Sequence, residues 1–197
     1  MMTAPALEPG YFDALYAVSA DPWGFETSAY EHAKYTATLA ALGGRHFAAA
    51  IEVGCSIGVL TARLAPACDK LLATDVAPAA LEIARRRCAL MPNVAFALSK
   101  LPERAPHGRF DLVLLSEVLY YFDDAGIVAV AAAVRGMALP DTDVLLVHWL
   151  GPTPDYPQTG DQAVAAFEAA MGPCKVMLRQ RTAEYRLDLL RVLPDSR

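Results

Sequence analysis

The chain has 197 residues, of which 55% are hydrophobic and 20% are charged. This length and composition are typical of a globular protein with a well-buried core, so we predict a single domain that spans residues 1–197. The formal net charge of −5 leaves no basic field for a phosphate backbone, which argues against nucleic acid as a partner.

Sequence features also bear on the compartment and on metal chemistry. Residues 1–10 lack the basic start and the apolar core of a signal peptide, and we predict a short mobile tail there. The longest apolar stretch, residues 127–134, is too short to span a bilayer. No CxxC pair and no histidine at ligand spacing accompany the four cysteines, which are Cys55, Cys68, Cys88 and Cys174. We therefore expect a cytoplasmic protein with reduced thiols, no membrane span and no metal site.

The N-terminal region, residues 1–45, is predicted to be this tail followed by two lid-like helices. The pattern predicts a helix over residues 11–20, an aromatic turn over 21–25, and a helix over 27–42 with Thr27 or Ser28 as its cap. Trp23 and Tyr30 are our candidates for contacts with a bound nucleoside. The alternative is that these aromatic side chains only pack their helix onto the sheet.

Residues 50–75 have the layout of a nucleotide-binding βαβ unit. A strand over Ala50–Val53 leads into a glycine turn at Gly54–Gly58, a helix from Ile57 to about Leu64, and a second strand that ends at Asp75. The glycines allow a sharp turn and a close approach of a ligand, and Asp75 is placed to accept hydrogen bonds from a ribose diol. Ser56 stands where a dinucleotide fingerprint has a closely spaced glycine, which argues against a pyrophosphate ligand.

The remaining elements complete an α/β pattern. They are a helix that starts at Pro78, strands over 94–98 and 110–115, a helix over 127–137, a turn at 139–141, a strand over 144–149, a helix over 161–171, and alternating segments over 175–179 and 185–193. This order predicts a Rossmann-like fold over residues 46–197, with a seven-stranded, mostly parallel sheet, helices on both faces and an antiparallel pair at one edge.

Two residues at strand ends are candidates for catalysis, because ligands of such sheets bind outside the carboxyl ends of the strands. Glu117 follows the apolar strand over 110–115 and is our first candidate to accept a proton or a hydrogen bond from an acceptor group. Its alternative role is to cap the next helix or to hold a backbone amide. His148 is the second candidate, and a buried core histidine is equally compatible with its position.

Four aromatic residues lie near these two candidates in the sequence. They are Tyr120, Tyr121, Trp149 and Tyr156. An aromatic wall would suit stacking on a sugar ring and attraction to a cation, whereas aromatic residues after a strand are also common in protein cores.

The segment Glu52–Gly58 resembles motif I of class I S-adenosylmethionine-dependent methyltransferases, and Asp75 matches the acid of their motif II. Further segments extend the likeness and together resemble the nodulation protein S family; they are residues 21–25, 30–31, 34–35, 39–42, 52–55 and 117–121. That family consists of N-methyltransferases that act on the free amine at the non-reducing end of deacetylated chitooligosaccharides. The resemblance covers about the N-terminal two-thirds of the chain and weakens from Trp149 onward.

The resemblance implies S-adenosyl-L-methionine as the cofactor, S-adenosyl-L-homocysteine as its product, and an amino sugar or another small molecule as the methyl acceptor. The family commonly carries an acid for the adenine amino group after the third strand, where this chain has Ser99 and Lys100. Adenine recognition is therefore expected from backbone groups, Ser99 or Leu101. The complete set of expected cofactor contacts is Trp23, Tyr30, Gly54, Cys55, Ser56, Ile57, Gly58, Asp75, Val76, Ser99, Leu101 and Ser116.

Three alternatives stay open from the sequence. An O-methyltransferase of another metabolite has the same motifs, and the missing acid at Ser99 is compatible with a catalytically silent binding module. A nicotinamide-dependent oxidoreductase is disfavoured by Ser56 in the glycine turn.

Overall fold

The computed structural model describes residues 4–194. Its helices are α1 (Pro9–Val18), α2 (Ala29–Ala41), α3 (Val59–Leu64), α4 (Pro78–Arg87), α5 (Asp124–Met137) and α6 (Gly160–Ala170). Its strands are β1 (Ala50–Val53), β2 (Leu71–Asp75), β3 (Val94–Leu98), β4 (Phe110–Ser116), β5 (Ala138–Trp149), β6 (Cys174–Arg181) and β7 (Tyr185–Val192). Short 3₁₀ turns cover Ala65–Ala67 and Leu119–Tyr121.

The seven strands form one sheet in the order β3-β2-β1-β4-β5-β7-β6. Parallel pairing joins β1 to β2, β2 to β3 and β4 to β5, whereas β7 runs antiparallel to both β5 and β6. The predicted Rossmann-like α/β fold with a seven-stranded, mostly parallel sheet is confirmed.

Contacts within the chain divide the described residues into two compact units. The first is Glu8–Lys100, and the second consists of residues 4–7 and 101–194. A single domain over residues 1–197 stays a prediction. Residues 1–3 of the expected tail lie outside the described residues, as do residues 195–197 of the expected domain.

The first unit contains α1 to α4 and β1 to β3, with bounds close to the sequence prediction. Helix α1 begins at Pro9, so Pro9 and Gly10 are helical and not part of a tail. Proline suits this position because its missing N–H would have no partner in the first helical turn. Ser28 caps α2 as predicted, since its Oγ accepts the amide of Glu31 at 3.3 Å. The buried side chains of Cys55, Ala73 and Leu81 form a core cluster in this unit.

The second unit contains β4 to β7 with α5 and α6. Residues 112–115 of β4 are completely buried, as expected of a strand that is covered on both faces. Helix α6 begins with a capping box in which Thr159 accepts the amide of Gln162 and the Gln162 side chain accepts the amide of Thr159. The predicted antiparallel pair is present as β6 and β7.

The predicted turn over residues 139–141 is wrong, because these residues belong to β5. Phe110 pairs with Ala138 and Leu112 pairs with Asp143, so β5 carries extra residues between these two positions. Asp141 in this irregular stretch has a φ of 63°. A bulge of this kind contains the Pro-Asp pair that resembles a turn in the sequence.

Among residues 4–194, every helix is too short or too polar to cross a membrane.

Candidate functional site

The glycine turn after β1 contains three residues in the left-handed region. Gly54, Ser56 and Gly58 have φ values of 77°, 50° and 78°. The amide of Gly58 donates to the carbonyl of Cys55 at 2.9 Å and closes the turn. A Cβ on Gly58 would lie 2.9 Å from the Cβ of Ala84 in α4, so both the backbone angle and the packing require glycine here.

Asp75, at the end of β2, holds this turn in place. Its Oδ2 accepts the amide of Ser56 at 2.8 Å, and its Oδ1 accepts the amide of Ala77 at 2.9 Å. Burial raises the pKa of Asp75 above its ordinary value, and these amides partly offset that rise. A carboxylate has about four acceptor positions, so the same group is chemically able to accept a ribose hydroxyl. Asp75 is thus a structural anchor of the turn as well as a candidate ligand contact.

Two further acidic or thiol groups lie buried beside the turn. Glu52 in β1 is 2% exposed, and the Thr61 hydroxyl donates to its Oε2 at 2.5 Å. Burial raises the pKa of Glu52 to about 8, against a lowering by the Thr61 hydrogen bond. Burial likewise raises the pKa of the Cys55 thiol well above its usual value, which keeps the sulfur protonated and unreactive. Glu52 and Cys55 therefore belong to the packed interior of the unit.

The N-terminal aromatic residues pack in the same unit as the glycine turn. Tyr16 in α1 is 9% exposed, and its hydroxyl lies 2.5 Å from the Ser56 Oγ. Its ring meets Trp23 edge-on at 5.8 Å, and Trp23 stacks on Phe25 at 5.5 Å. Trp23 is half-buried and thus accessible, as a ligand contact requires.

Tyr30 is also half-buried and packs beside a buried ion pair of α2. The Lys34 Nζ lies 5.0 Å from the centre of the Tyr30 ring and 3.0 Å from Glu31 Oε1. Lys34 and Glu31 are 2% and 7% exposed, so this pair is a part of the interior and fixes the position of the Tyr30 ring.

The remaining predicted cofactor contacts have varied surroundings. Ser99 is buried, and its amide donates to the carbonyl of Asp75 at 3.0 Å. Lys100 Nζ pairs with Glu8 Oε2 at 2.9 Å. Val76 is half-buried.

In the second unit, Leu101 is buried and Ser116 is half-buried at the end of β4. Ile57, in the glycine turn itself, is buried, which places its side chain in the interior of the first unit.

Glu117 stands directly after β4 with a φ of 59°, a conformation that is uncommon for a residue with a side chain. Its amide donates to the carbonyl of Val147 at 2.8 Å. Its Oε2 accepts two hydrogen bonds, from the Tyr120 hydroxyl at 2.6 Å and from the Trp149 amide at 2.9 Å. Two donors on one oxygen stabilise the carboxylate over the carboxylic acid. The carboxylate thus holds a backbone amide, which is the alternative role that the sequence allowed, and the residue is half-buried; its role toward an acceptor group stays a prediction.

His148 is completely buried, and its Nε2 accepts the amide of Leu119 at 3.1 Å. That hydrogen bond uses the lone pair of Nε2 and places the proton of a neutral ring on Nδ1. His148 therefore positions the backbone that follows Glu117. A catalytic role for this histidine stays a prediction, and the geometry favours Glu117 for contact with an acceptor.

Three of the four predicted aromatic-wall residues pack against each other in the second unit. Tyr120 stacks on Tyr156 with ring centres 5.3 Å apart, and Tyr121 meets both rings edge-on at 4.7 and 4.9 Å. Burial, and after it the charge of Glu117, raises the pKa of Tyr120 well above its usual value, so this hydroxyl stays a donor to the carboxylate. Tyr121 and Tyr156 are half-buried, which leaves part of the cluster open to a ligand.

Gln158 fixes the loop that carries Tyr156. Its side-chain amide donates to the carbonyl of Phe122 and to Asp124 Oδ1, both at 3.2 Å, and it is 4% exposed. Nothing in the sequence pattern distinguished this glutamine. Within residues 4–194, no group of His, Cys, Asp or Glu side chains is arranged to hold a metal ion.

Comparison with known proteins identifies the class of fold. The crystal structure of the N-methyltransferase NodS from Bradyrhizobium japonicum, which contains S-adenosylhomocysteine, superposes with a TM-score of 0.81 at 21% identity and covers 92% of this chain and 96% of its own. A Pseudomonas syringae protein, described provisionally as a methyltransferase, is 33% identical with a TM-score of 0.72 over 84% of this chain and 100% of its own. The fold is that of class I methyltransferases.

The family follows from the sequence. The family model for nodulation protein S (NodS) matches residues 15–147, and the chain belongs to this family. Nodulation protein S of Bradyrhizobium diazoefficiens is 35% identical over 130 residues, which cover 64% of this chain and 61% of the relative. The Rhizobium tropici protein is 34% identical over 105 residues, which cover 53% of this chain and 44% of the relative. The matched segments thus span 44% to 61% of the length of these two curated relatives.

Proposed function

We propose that the protein is an S-adenosylmethionine-dependent methyltransferase that transfers a methyl group to an amine of a small-molecule acceptor. The favoured acceptor is the free amine of a deacetylated chitooligosaccharide or of another amino sugar, and the reaction takes place in the cytoplasm. The observation that carries the proposal is the family match over residues 15–147, which includes the glycine turn, Asp75 and Glu117.

The residues of the first unit fit the nucleoside part of the cofactor. The turn at Gly54–Gly58 has left-handed backbone angles at three positions, two of which, Gly54 and Ser56, are half-buried, and Asp75 supplies acceptor oxygens at the end of β2. Trp23 and Tyr30 supply half-buried aromatic faces that suit an adenine ring or a sulfonium. S-adenosylmethionine, when bound, supplies a methyl group on a positively charged sulfur. We assign the donor site in this unit to these residues together with Ser99. Leu101 and Ser116 stay predicted cofactor contacts from the sequence.

Glu117 supplies the acceptor chemistry in this proposal. A nitrogen can attack a methyl carbon only with its lone pair free, and the methylated nitrogen then carries a positive charge and a proton to be lost. Tyr120 and Trp149 stabilise Glu117 as a carboxylate, which can accept a hydrogen bond from the amine and afterwards its proton. A hydroxyl acceptor would need a stronger base than a carboxylate that is stabilised in this way. The chemistry of this group therefore supports N-methylation over O-methylation.

The test is transfer of labelled methyl from S-adenosylmethionine to chitooligosaccharides with and without deacetylation at the non-reducing end. Calorimetry with S-adenosylhomocysteine runs beside it. We expect nucleoside binding, label on the deacetylated sugars and none on the fully acetylated ones. Binding without label on any sugar would reject the amino-sugar acceptor but keep the donor, and the absence of binding would reject the methyltransferase itself. Preference for a dinucleotide would instead support the oxidoreductase alternative.

A further inference from the structure

Ser56 occupies a backbone conformation that favours glycine. Its φ of 50° lies in the left-handed region, between glycines at 54 and 58 that share this feature. A residue with a side chain is strained there and keeps this conformation only when its surroundings determine it. The amide of Ser56 donates to Asp75 Oδ2 at 2.8 Å, which fixes one side of the residue. The other fixed point is its side chain.

The hydroxyl of Ser56 meets that of Tyr16 at 2.5 Å, a contact between residues 40 positions apart in the sequence. Tyr16 is itself held firmly, because it is 9% exposed and its ring packs edge-on against Trp23. Asp21 fixes the turn that carries Trp23, since its two carboxylate oxygens accept the amides of Phe25 and Glu26 at 2.8 and 2.9 Å. The tyrosine hydroxyl is thus presented to Ser56 from a defined position.

A second contact ties the same N-terminal segment to the neighbouring residue of the turn. The Nε of Arg87 in α4 donates to the carbonyl of Ile57 at 2.9 Å. The other end of this guanidinium pairs with Glu26 Oε1 at 3.3 Å. Ser56 and Ile57 are therefore both linked to residues 16–26, one directly and the other through Arg87.

We propose that Tyr16 is a positioning residue of the cofactor site. Its hydroxyl holds Ser56 in the left-handed conformation, and the population of this conformation sets the affinity of the glycine turn for the nucleoside. The proposal rests on the proposed function, because it concerns the S-adenosylmethionine site of that enzyme. In this proposal Tyr16 in α1 and Ser56 in the glycine turn act as a pair, and neither hydroxyl has its effect without the other.

A double-mutant cycle tests this coupling, with Tyr16→Phe, Ser56→Gly and the combined variant. Calorimetry measures the dissociation constant of S-adenosylhomocysteine, and urea unfolding without ligand measures the stability of each protein. Tyr16→Phe keeps the ring and its packing, so it should weaken binding about fivefold by lowering the fraction of turns that are competent to bind. Glycine adopts a positive φ without strain, so Ser56→Gly removes the need for the Tyr16 hydroxyl and serves as the reference background of the cycle. In the glycine background, Tyr16→Phe should change affinity less than about twofold, and the unfolding cycle should show the same coupling.

Tyr185→Phe is the matched control, because it removes the same hydroxyl from β7 in the other unit and should leave affinity unchanged. If Tyr16→Phe does not fold, Ser56→Ala breaks the same contact from the other side and should weaken binding in its place. Equal effects of Tyr16→Phe in the serine and glycine backgrounds would overturn the proposal, since Tyr16 would then act by packing alone. A wild-type protein that binds no S-adenosylhomocysteine would instead overturn the proposed function and this assignment together.

Discussion

Replacement of Glu117 by glutamine separates the chemical role of this residue from its structural role. Oε2 accepts hydrogen bonds from the Tyr120 hydroxyl and the Trp149 amide, and the amide oxygen of glutamine can occupy the same position and accept both. The variant keeps the shape of the site but loses the negative charge, so charge-assisted hydrogen bonds become neutral ones. Stability should fall by only about 1 kcal/mol. Turnover should fall about 100-fold or more, because the group that accepts the amine proton is gone.

The assay compares the rate of methyl transfer at saturating donor with the affinity for S-adenosylhomocysteine in the same preparation. Affinity should stay within about twofold of the wild type, since Glu117 is proposed to contact the methyl acceptor and not the nucleoside. Glu184→Gln, which changes an exposed glutamate of the same unit, is the control and should retain full turnover. Wild-type turnover by Glu117→Gln would refute the assignment of Glu117. A parallel loss of affinity and stability would point to a structural role alone.

Three further predictions concern the first unit. Gly58→Ala should destabilise the protein by about 2 kcal/mol or more in urea unfolding, because its Cβ would lie 2.9 Å from that of Ala84 and φ is +78°; an unchanged midpoint would contradict the packing argument. Asp75→Ala should raise the dissociation constant of S-adenosylhomocysteine at least about tenfold, because the Ser56 amide loses its acceptor along with the ligand contact; unchanged affinity would remove Asp75 from the site. The pKa of Glu52 is raised from 4.5 to about 8 in the folded protein, so the folded state binds the extra proton between these values and wild-type stability should fall as pH rises through this window. Glu52→Gln should flatten that dependence in pH-resolved unfolding, and parallel curves for the two proteins would show that the carboxyl is not responsible.

The local elements of this fold could be predicted from the sequence because their causes are local. The Ser28 cap starts α2, and the strand before Gly54 and the acid at Asp75 define the βαβ unit within 26 residues from Ala50 to Asp75. The bulge at Asp141 could not be predicted in this way, because Pro140 followed by an aspartate also suits a turn. The pairing of β5 with β4 makes this stretch a bulge and not a turn, and that pairing joins residues far apart in the sequence.

The side-chain partners of the candidate site depended on tertiary packing. Tyr16 meets Ser56 across 40 positions of the chain, and Glu117 meets the Trp149 amide across 32. No periodicity predicts such contacts. A serine between two glycines of a turn does indicate that its side chain has a partner, because a side chain at a left-handed position is strained without one. His148 could not be assigned from the sequence for the same reason. A histidine between two hydrophobic residues is compatible with a catalytic base and with a buried hydrogen-bond acceptor. Only the structure shows that its partner is the Leu119 amide.

The most direct test of the central claim is the linkage of the product. The acceptor is a chitooligosaccharide with a free amine at its non-reducing end, the donor carries an isotopically labelled methyl group, and NMR identifies the atom that receives the label. The proposed function predicts label on that nitrogen with the wild-type protein and nearly none with Glu117→Gln. Label on a hydroxyl oxygen would contradict the N-methyltransferase assignment and the role given to Glu117.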